Sequence, residues 1–346
     1  MNRPMNAPGG GMANELAEAP AAVLAQAGEL AVPLSALMTR LVRRSPDVVV
    51  TCARGSSAHA ATFAKHLIER YLGIPVAAAA PNIASVYHQR LKLKDQLFLA
   101  ISQSGSSDDL IETAAAARAA EAVTAAIVND TKSPLAKTCE FVLPMAAGPE
   151  LSVAATKTFI ASLAASLRLI AHWTGDKEMG AACERLPARL ARAAELDWSA
   201  ALSSLASATA LIAIGRGPTL AIAREAALKL KETCALHAEA FSGAEFRHGP
   251  IALVANGLPV LMLTPHDASA MGFVDLANDL NAAGARVLMT GANDAGAGLP
   301  TLPPDQADAD AICLIQSFYA FLLRLAQARG TDVDQPRHLQ KVTRTR

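Results

Sequence analysis

Short apolar runs rich in β-branched residues alternate along the chain with longer stretches rich in alanine and leucine. The short runs are typical of buried strands, and the longer stretches carry apolar residues at helical spacing. The predicted strands are Val48–Cys52, Leu97–Ile101, Ala125–Val128, Phe141–Pro144, Ala210–Ile214, Val260–Leu263 and Val287–Thr290. Strands that alternate with helices indicate an α/β fold with parallel sheets and right-handed crossovers.

The second half of the chain repeats landmarks of the first half. The stretch VTCARGSSAHAATFAKHL resembles IAIGRGPTLAIAREAALKL, because in both a strand leads through Arg-Gly into a helix. Three pairs of positions share a spacing of 162 residues, namely Arg54 and Arg216, Ser102 and Thr264, and Asn129 and Gly291. A single spacing for three pairs indicates a duplicated domain. We therefore predict domains at residues 31–180 and 195–330, with a tail and first helix at 1–30 and a C-terminal tail at 331–346.

Composition narrows the functional classes. The 346 residues include 31 Lys+Arg and 31 Asp+Glu, and this balance argues against the broad basic field that nucleic-acid binding needs. Five cysteines without a CxxC pair indicate reduced thiols and a cytoplasmic protein. We expect no membrane association, because the chain lacks the apolar run of a signal peptide and a run of about 18 uncharged apolar residues.

The stretch FLAISQSGSSDD holds more hydroxyl groups than its turn requires. A buried strand ends there in the residues Ser102, Gln103, Ser104, Gly105, Ser106 and Ser107. The second copy has LTPHDASAMG at this place, so the fold itself does not need the serines. Rotatable hydroxyls beside a helix N-terminus make a cradle for a phosphate at the carboxyl edge of a parallel sheet. Ser56 and Ser57 in ARGSSAHA supply a second hydroxyl pair, and we prefer a phosphate site to ordinary caps and turns.

The chain resembles the sugar isomerase (SIS) domain family over nearly its whole length. Within that family it is similar to the isomerase half of glucosamine-6-phosphate synthases and to the SIS-type glucosamine-6-phosphate deaminases. The resemblance lies in the stretches ARGSSAHA, SQSGSSDD, SVAATKTF, EAALKLKETCALHAEAFSGAEFRHGPIAL and DVDQPRHLQKVT. It implies two tandem SIS domains, each a five-stranded parallel sheet between helices in a three-layer, flavodoxin-like α/β/α arrangement.

The resemblance also implies roles for the residues of these motifs. The sugar phosphate is expected on Ser56, Ser57, Ser102, Gln103, Ser104 and Ser107. The sugar itself is expected to contact the segment that contains Val153 and Ala155, where Ala155 stands in place of the family's usual serine.

The resemblance assigns the chemistry to three further residues, which are Glu232, His248 and Lys341. Glu225, Lys229 and Glu232 share one helix face, which from spacing alone is typical of a solvated ladder of charge pairs. The resemblance instead implies that Glu232 moves the proton between C1 and C2 and that Lys229 lies beside the substrate. It implies that His248 opens the sugar ring from the partner subunit of a homodimer. Lys341 in the C-terminal tail is expected either to form an imine or to contact the sugar, and the sequence leaves both open.

We predict a deaminase that converts glucosamine 6-phosphate and water to fructose 6-phosphate and ammonia. Glutaminase activity is not expected, because Asn2 follows Met1 where the synthases carry a nucleophilic cysteine. The alternatives are a deaminase or isomerase for galactosamine 6-phosphate or fructosamine 6-phosphate, and a non-catalytic phosphosugar-binding protein. The sequence gives no sign of a metal or an organic cofactor.

Overall fold

Ten strands and twelve α-helices are present in the residues that the computed structural model describes, which are 11–254, 257–291 and 297–341. The strands are β1 Val49–Ala53, β2 Val76–Ala78, β3 Leu97–Ser102, β4 Val123–Val128, β5 Phe141–Pro144, β6 Ala210–Gly215, β7 His237–Ser242, β8 Pro259–Met262, β9 Arg286–Thr290 and β10 Ala297–Leu299. The helices are α1 Met12–Arg43, α2 Gly55–Leu72, α3 Asn82–Ser85, α4 Asp108–Ala119, α5 Pro134–Thr138, α6 Lys157–Thr174, α7 Lys177–Ala193, α8 Leu202–Leu205, α9 Thr219–Cys234, α10 Gly243–Phe246, α11 Phe273–Ala282 and α12 Ala307–Ala328. All of residues 1–10, and residues 342–346 of the predicted C-terminal tail, lie outside the described residues.

The strands form two five-stranded parallel sheets with the same topology. The first sheet has the order β2-β1-β3-β4-β5, and the second has the order β7-β6-β8-β9-β10. Each strand of the first sheet therefore has its counterpart five strands later. This arrangement confirms the predicted α/β fold of two tandem domains.

Alternation along the strands sends side chains to two different cores. In the first sheet Leu97 and Leu99 join a core that also includes Leu211 of the second sheet, whereas Phe98 and Ala100 join a core on the outer face. The shared core is built with the long helices α1, α2, α6, α7, α9 and α12. Because helices α2 and α9 pack together in this core, residues of both domains meet near the carboxyl ends of the strands.

The strands β2, β7 and β10 were not among those predicted. β2 and β10 have three residues each, and β7 reads HAEAFS without a continuous apolar run. Helix α9 ends at Cys234 because Ala235 takes a left-handed conformation with φ of 48°, and His237 begins an edge strand.

The first helix extends beyond the boundary that the sequence suggested, since α1 continues through Leu30 to Arg43. The predicted limits of the domains stay predictions. Helices α1 and α12 are long and apolar enough, by length and composition, to cross a membrane. In α12, 83% of such a window is buried inside the fold, as expected for a core helix, against 33% in α1. The absence of membrane association stays a prediction.

Candidate active site

A cleft of about 370 Å³ opens at the carboxyl ends of β1 and β3, between the two domains. Eleven of the twelve residues proposed from the sequence line it. They are Ser56, Ser57, Ser102, Gln103, Ser104, Ser107, Val153, Ala155, Lys229, Glu232 and Lys341. The hydroxyl-rich loops belong to the first domain, whereas Lys229 and Glu232 belong to α9 of the second domain.

The serine loop after β3 folds around its own hydroxyl groups. The Ser102 side chain accepts a hydrogen bond from the Gly105 amide at 3.1 Å, and the Ser104 side chain accepts one from the Ser106 amide at 3.3 Å. Ser107 occupies the N-cap of α4, but its side chain makes no capping bond. The loop thus has a fixed backbone and presents the Ser104 and Ser107 hydroxyls in the cleft.

Gly105 is required by this loop for two reasons. Its φ is +60°, and a Cβ there would lie 2.1 Å from Ser133 Oγ. We expect Gly105→Ala to lower the free energy of unfolding by about 1–3 kcal/mol in urea titrations, through overpacking added to backbone strain. Gly73→Ala is the matched control, since Gly73 has a φ of +66° but an added Cβ would meet no atom within 4 Å. Equal losses in the two variants would show that the contact with Ser133 is unimportant.

A second hydroxyl pair lies at the start of α2. Ser56 and Ser57 are in the first turn of this helix, and its N-cap residue Arg54 makes no side-chain capping bond. The N-termini of α2 and α4 therefore meet at one cleft. Free backbone N–H groups and the helix dipole make such ends favourable for anions.

The charged face of α9 is a buried network. The side chains of Glu225 and Lys229 are 0% and 1% exposed, so a solvated ladder of charge pairs does not describe this face. Lys229 Nζ donates to Glu232 Oε2 at 2.6 Å and to Ser56 Oγ at 3.0 Å, and it lies 3.3 Å from Glu225 Oε1. Lys229 thus links the carboxylates of the second domain to a serine of the first.

Glu225 is held by residues that sequence reasoning did not connect with the site. His59 Nδ1 lies 2.8 Å from Glu225 Oε2, and the Tyr319 hydroxyl donates to Glu225 Oε1 at 3.0 Å. Burial alone would raise the pKa of Glu225, but the Lys229 charge and the His59 contact outweigh it and lower the pKa. Glu225 was on the predicted helix face, whereas no sequence signal pointed to His59 or Tyr319.

The pKa of Lys229 is raised above its ordinary value. Burial by itself would lower this pKa, but the charges of Glu225 and Glu232 act in the opposite direction and dominate. Burial and the neighbouring Glu225 also raise the pKa of Tyr319, which keeps its hydroxyl a neutral donor. The network therefore joins the Lys229 cation to two carboxylates, and the neutral Tyr319 hydroxyl donates to one of them.

Lys341 reaches the cleft from the C-terminal tail. Its Nζ donates to the Ser152 carbonyl at 2.6 Å and lies 3.6 Å from Glu150 Oε2. The segment that it touches is fixed from within, because the buried Glu150 carboxylate accepts from the Thr156 and Thr158 amides at 3.1 and 3.0 Å. Val153 and Ala155 lie on this ordered segment and line the cleft.

His248 is the one proposed site residue that does not line the cleft. It is exposed in the turn after α10, and its backbone amide donates to the Glu245 carbonyl at 3.0 Å. Its predicted role requires a second copy of the chain and stays a prediction.

Among the described residues, no group of three or more His, Cys, Asp and Glu side chains is suited to hold a metal ion. The five cysteines are free and buried, and burial raises the pKa of the Cys313 thiol to about 12.

Known proteins are similar to this chain over most of its length. The SIS domain family matches residues 44–171 and 204–293. The chain is 34% identical to the isomerising glutamine–fructose-6-phosphate aminotransferase of Symbiobacterium thermophilum, over 90% of this chain and 53% of that protein. It thus spans about half the length of the curated relatives it matches.

Solved structures show the same similarity. A candidate phosphosugar isomerase from Silicibacter pomeroyi DSS-3 is 41% identical with a TM-score of 0.89, over 93% of this chain and 99% of that one. The C-terminal domain of glucosamine-fructose-6-phosphate aminotransferase from Francisella tularensis is 26% identical with a TM-score of 0.81, over 94% and 98% of the two chains. With two matched domains and a shared fold, the chain belongs to the SIS domain family.

Proposed function

We propose that the chain is an isomerising deaminase that converts glucosamine 6-phosphate and water to fructose 6-phosphate and ammonia. One observation carries the proposal. The Lys229–Glu232 pair of the second domain lies in the same cleft as the serine loops of the first domain, and Lys229 bonds directly to Ser56. A sugar phosphate requires an anion site for its phosphate end and a carboxylate for proton transfer at its carbonyl end.

The phosphate end fits the serine loops. A phosphate monoester carries about −1.5 to −2 charges at pH 7. Two helix N-termini and the hydroxyls of Ser104 and Ser107 can hold that charge without a Walker loop. The substrate class is further supported by the relatives that are named for fructose 6-phosphate.

The carbonyl end fits Glu232. In the open-chain sugar one carboxylate above C1 and C2 can take the proton from one carbon and return it to the other. Starting from the amino aldose, this transfer gives an enolamine and then a C2 imine. Water adds to that imine, the C–N bond breaks, and fructose 6-phosphate and ammonia leave. Lys229, which donates to Glu232, is positioned to stabilise the negative charge that develops on the sugar oxygen.

Two further groups complete the proposed mechanism. His248 of a partner subunit opens the ring as a general acid/base, a role that histidine side chains commonly fill. Lys341 contacts the open chain or forms an imine with it. We write the reaction in the direction of deamination because water, the co-substrate in that direction, is present at its bulk concentration.

The test is ammonia release from glucosamine 6-phosphate, galactosamine 6-phosphate and fructosamine 6-phosphate. We expect release from glucosamine 6-phosphate, with fructose 6-phosphate formed in equal amount. Release from another member of the panel alone would replace the substrate, and interconversion of aldose and ketose phosphates without ammonia would replace the reaction. A chain that binds these sugars but turns over none would be a non-catalytic binder.

Replacing both Ser104 and Ser107 by alanine should raise KM about 10²–10⁴-fold and change kcat much less. Each hydroxyl is expected to donate one bond to a charged phosphate, worth about 1.5–3 kcal/mol. Ser106→Ala is the matched control, because its hydroxyl donates to the Ser104 carbonyl and does not line the cleft. Steady-state kinetics checks the split, and an unchanged KM in the double variant would put the phosphate elsewhere.

A further inference from the structure

Arg54 is a cleft residue to which the proposed mechanism assigns no role. It directly precedes α2 and lines the cleft beside the serine loops. Its side chain is 51% exposed, whereas Asp109, its partner, is 1% exposed. Arg54 Nε and Nη2 both donate to Asp109 Oδ2, at 3.0 and 2.7 Å.

This pairing fixes the guanidinium at the point where α2 and α4 begin. Asp109 lies in the first turn of α4, and Arg54 lies at the N-cap of α2. A guanidinium carries five N–H donors in a rigid fork, and the two bonds to Asp109 use two of them. The same group can therefore donate to a second acceptor in the cleft while Asp109 holds it in place.

The second copy of the domain shows that the fold itself does not require a buried carboxylate beside this arginine. The second copy keeps an arginine, Arg216, at the offset of 162 residues, but the second position of its helix α11, which corresponds to Asp109 in α4, holds Val274. Arg216 is exposed, and Val274 is 50% exposed. The buried carboxylate that fixes the arginine thus occurs in the copy that has the serine loop, and not in the copy that lacks it.

Arg54 is also the cation of the cleft that is best placed to bind a phosphate. The other two cations lining the cleft in the described residues are Lys229 and Lys341. Each of them has a carboxylate neighbour, as Arg54 has: Lys229 is paired with Glu232 at 2.6 Å, and Lys341 lies 3.6 Å from Glu150. Arg54 differs because its fork keeps three N–H donors beyond the two that bond to Asp109. The serine loops contribute hydroxyls and amides, which are neutral, whereas a phosphate dianion is bound best by a charged fork.

We propose that Arg54 is the cation of the phosphate subsite, that it sets the preference of the cleft for a doubly charged phosphate, and that Asp109 is the residue that positions it. The inference rests on the proposed function for the identity of the sugar phosphate, but it concerns binding and not turnover.

The experiment measures dissociation constants of fructose 6-phosphate and inorganic phosphate by calorimetry between pH 5 and pH 8. Arg54→Gln removes the cation beside the buried Asp109 carboxylate, so the double variant Arg54→Gln/Asp109→Asn is measured beside it, and thermal melts verify folding. Arg216→Gln is the matched control in the second copy.

We expect the double variant to bind fructose 6-phosphate about 10- to 100-fold more weakly than the wild type, since a charge-assisted bond to phosphate is lost. Arg54→Lys should lie between them, because it keeps the charge without the fork. Wild-type affinity should rise as the phosphate loses its second proton near pH 6, and this rise should flatten in the double variant. Arg216→Gln should bind as the wild type does.

A folded double variant with wild-type affinity and wild-type pH dependence would overturn the inference. Failure of the proposed reaction is a separate result, because it would appear as an absence of ammonia release while the Arg54 variants still lost phosphate affinity.

Discussion

Replacing Glu232 by glutamine is expected to lower kcat by about 10²–10⁴-fold, the usual contribution of a positioned acid/base. The dissociation constant of fructose 6-phosphate should stay near that of the wild type. Glutamine keeps an oxygen that can accept the bond from Lys229, now 2.6 Å in length, so the cleft should retain its shape. Only the ability to carry a proton between the two carbons is removed.

The control for this variant is Glu239→Gln, at an exposed position of the edge strand β7. It makes the same chemical change outside the cleft and should leave both kcat and binding unchanged. Turnover that survived in Glu232→Gln would show that another group moves the proton, and Glu232 would then be a contact residue.

Replacing Lys229 by methionine is expected to lower the free energy of unfolding by about 3–5 kcal/mol, because it leaves a buried charge without its cation. Glu225 has a fully buried side chain, and Lys229 lies 3.3 Å from it. Chemical denaturation measures the loss. Lys231→Met changes an exposed lysine of the same helix and should stay within about 0.5 kcal/mol of the wild type.

The pH dependence of that loss identifies its cause. In the wild type the pKa of Glu225 is lowered, so its stabilising effect is complete above the unfolded value near 4.3 and disappears as the pH falls through the folded value. Without Lys229, burial should raise the pKa of Glu225, so that its protonation removes the buried charge and stabilises the variant. The difference in stability between the two proteins should therefore shrink on acidification. A difference independent of pH would indicate a packing defect instead.

Much of the fold could be predicted because its signals are local and repeated. Arg54 and Arg216 mark the same strand-to-helix turn in both copies, and the central strands β3 and β4 are buried at every position, which gives continuous apolar runs. The edge strand β7 has no such run. The end of α9 has no clear sequence signal either, because no glycine or proline marks the left-handed residue Ala235.

In the cleft, too, features formed by neighbouring residues could be predicted, whereas contacts between residues far apart in the chain could not. The serine loop could be singled out because its hydroxyls exceed what a turn needs, and the second copy shows the same turn without them. The partners of Glu225 could not be predicted from the sequence, because His59 is 166 residues away in the chain and Tyr319 is 94 residues away. Only the packing of α2 and α12 against α9 brings them together.

The most direct test of the account is a crystal structure of the chain with fructose 6-phosphate bound. We expect the phosphate group within hydrogen-bonding distance of the Ser104 and Ser107 hydroxyls, and C1 and C2 of the sugar within about 3–4 Å of the Glu232 carboxylate. A sugar phosphate seated elsewhere, or one whose C1 and C2 lie beyond reach of Glu232, would contradict it.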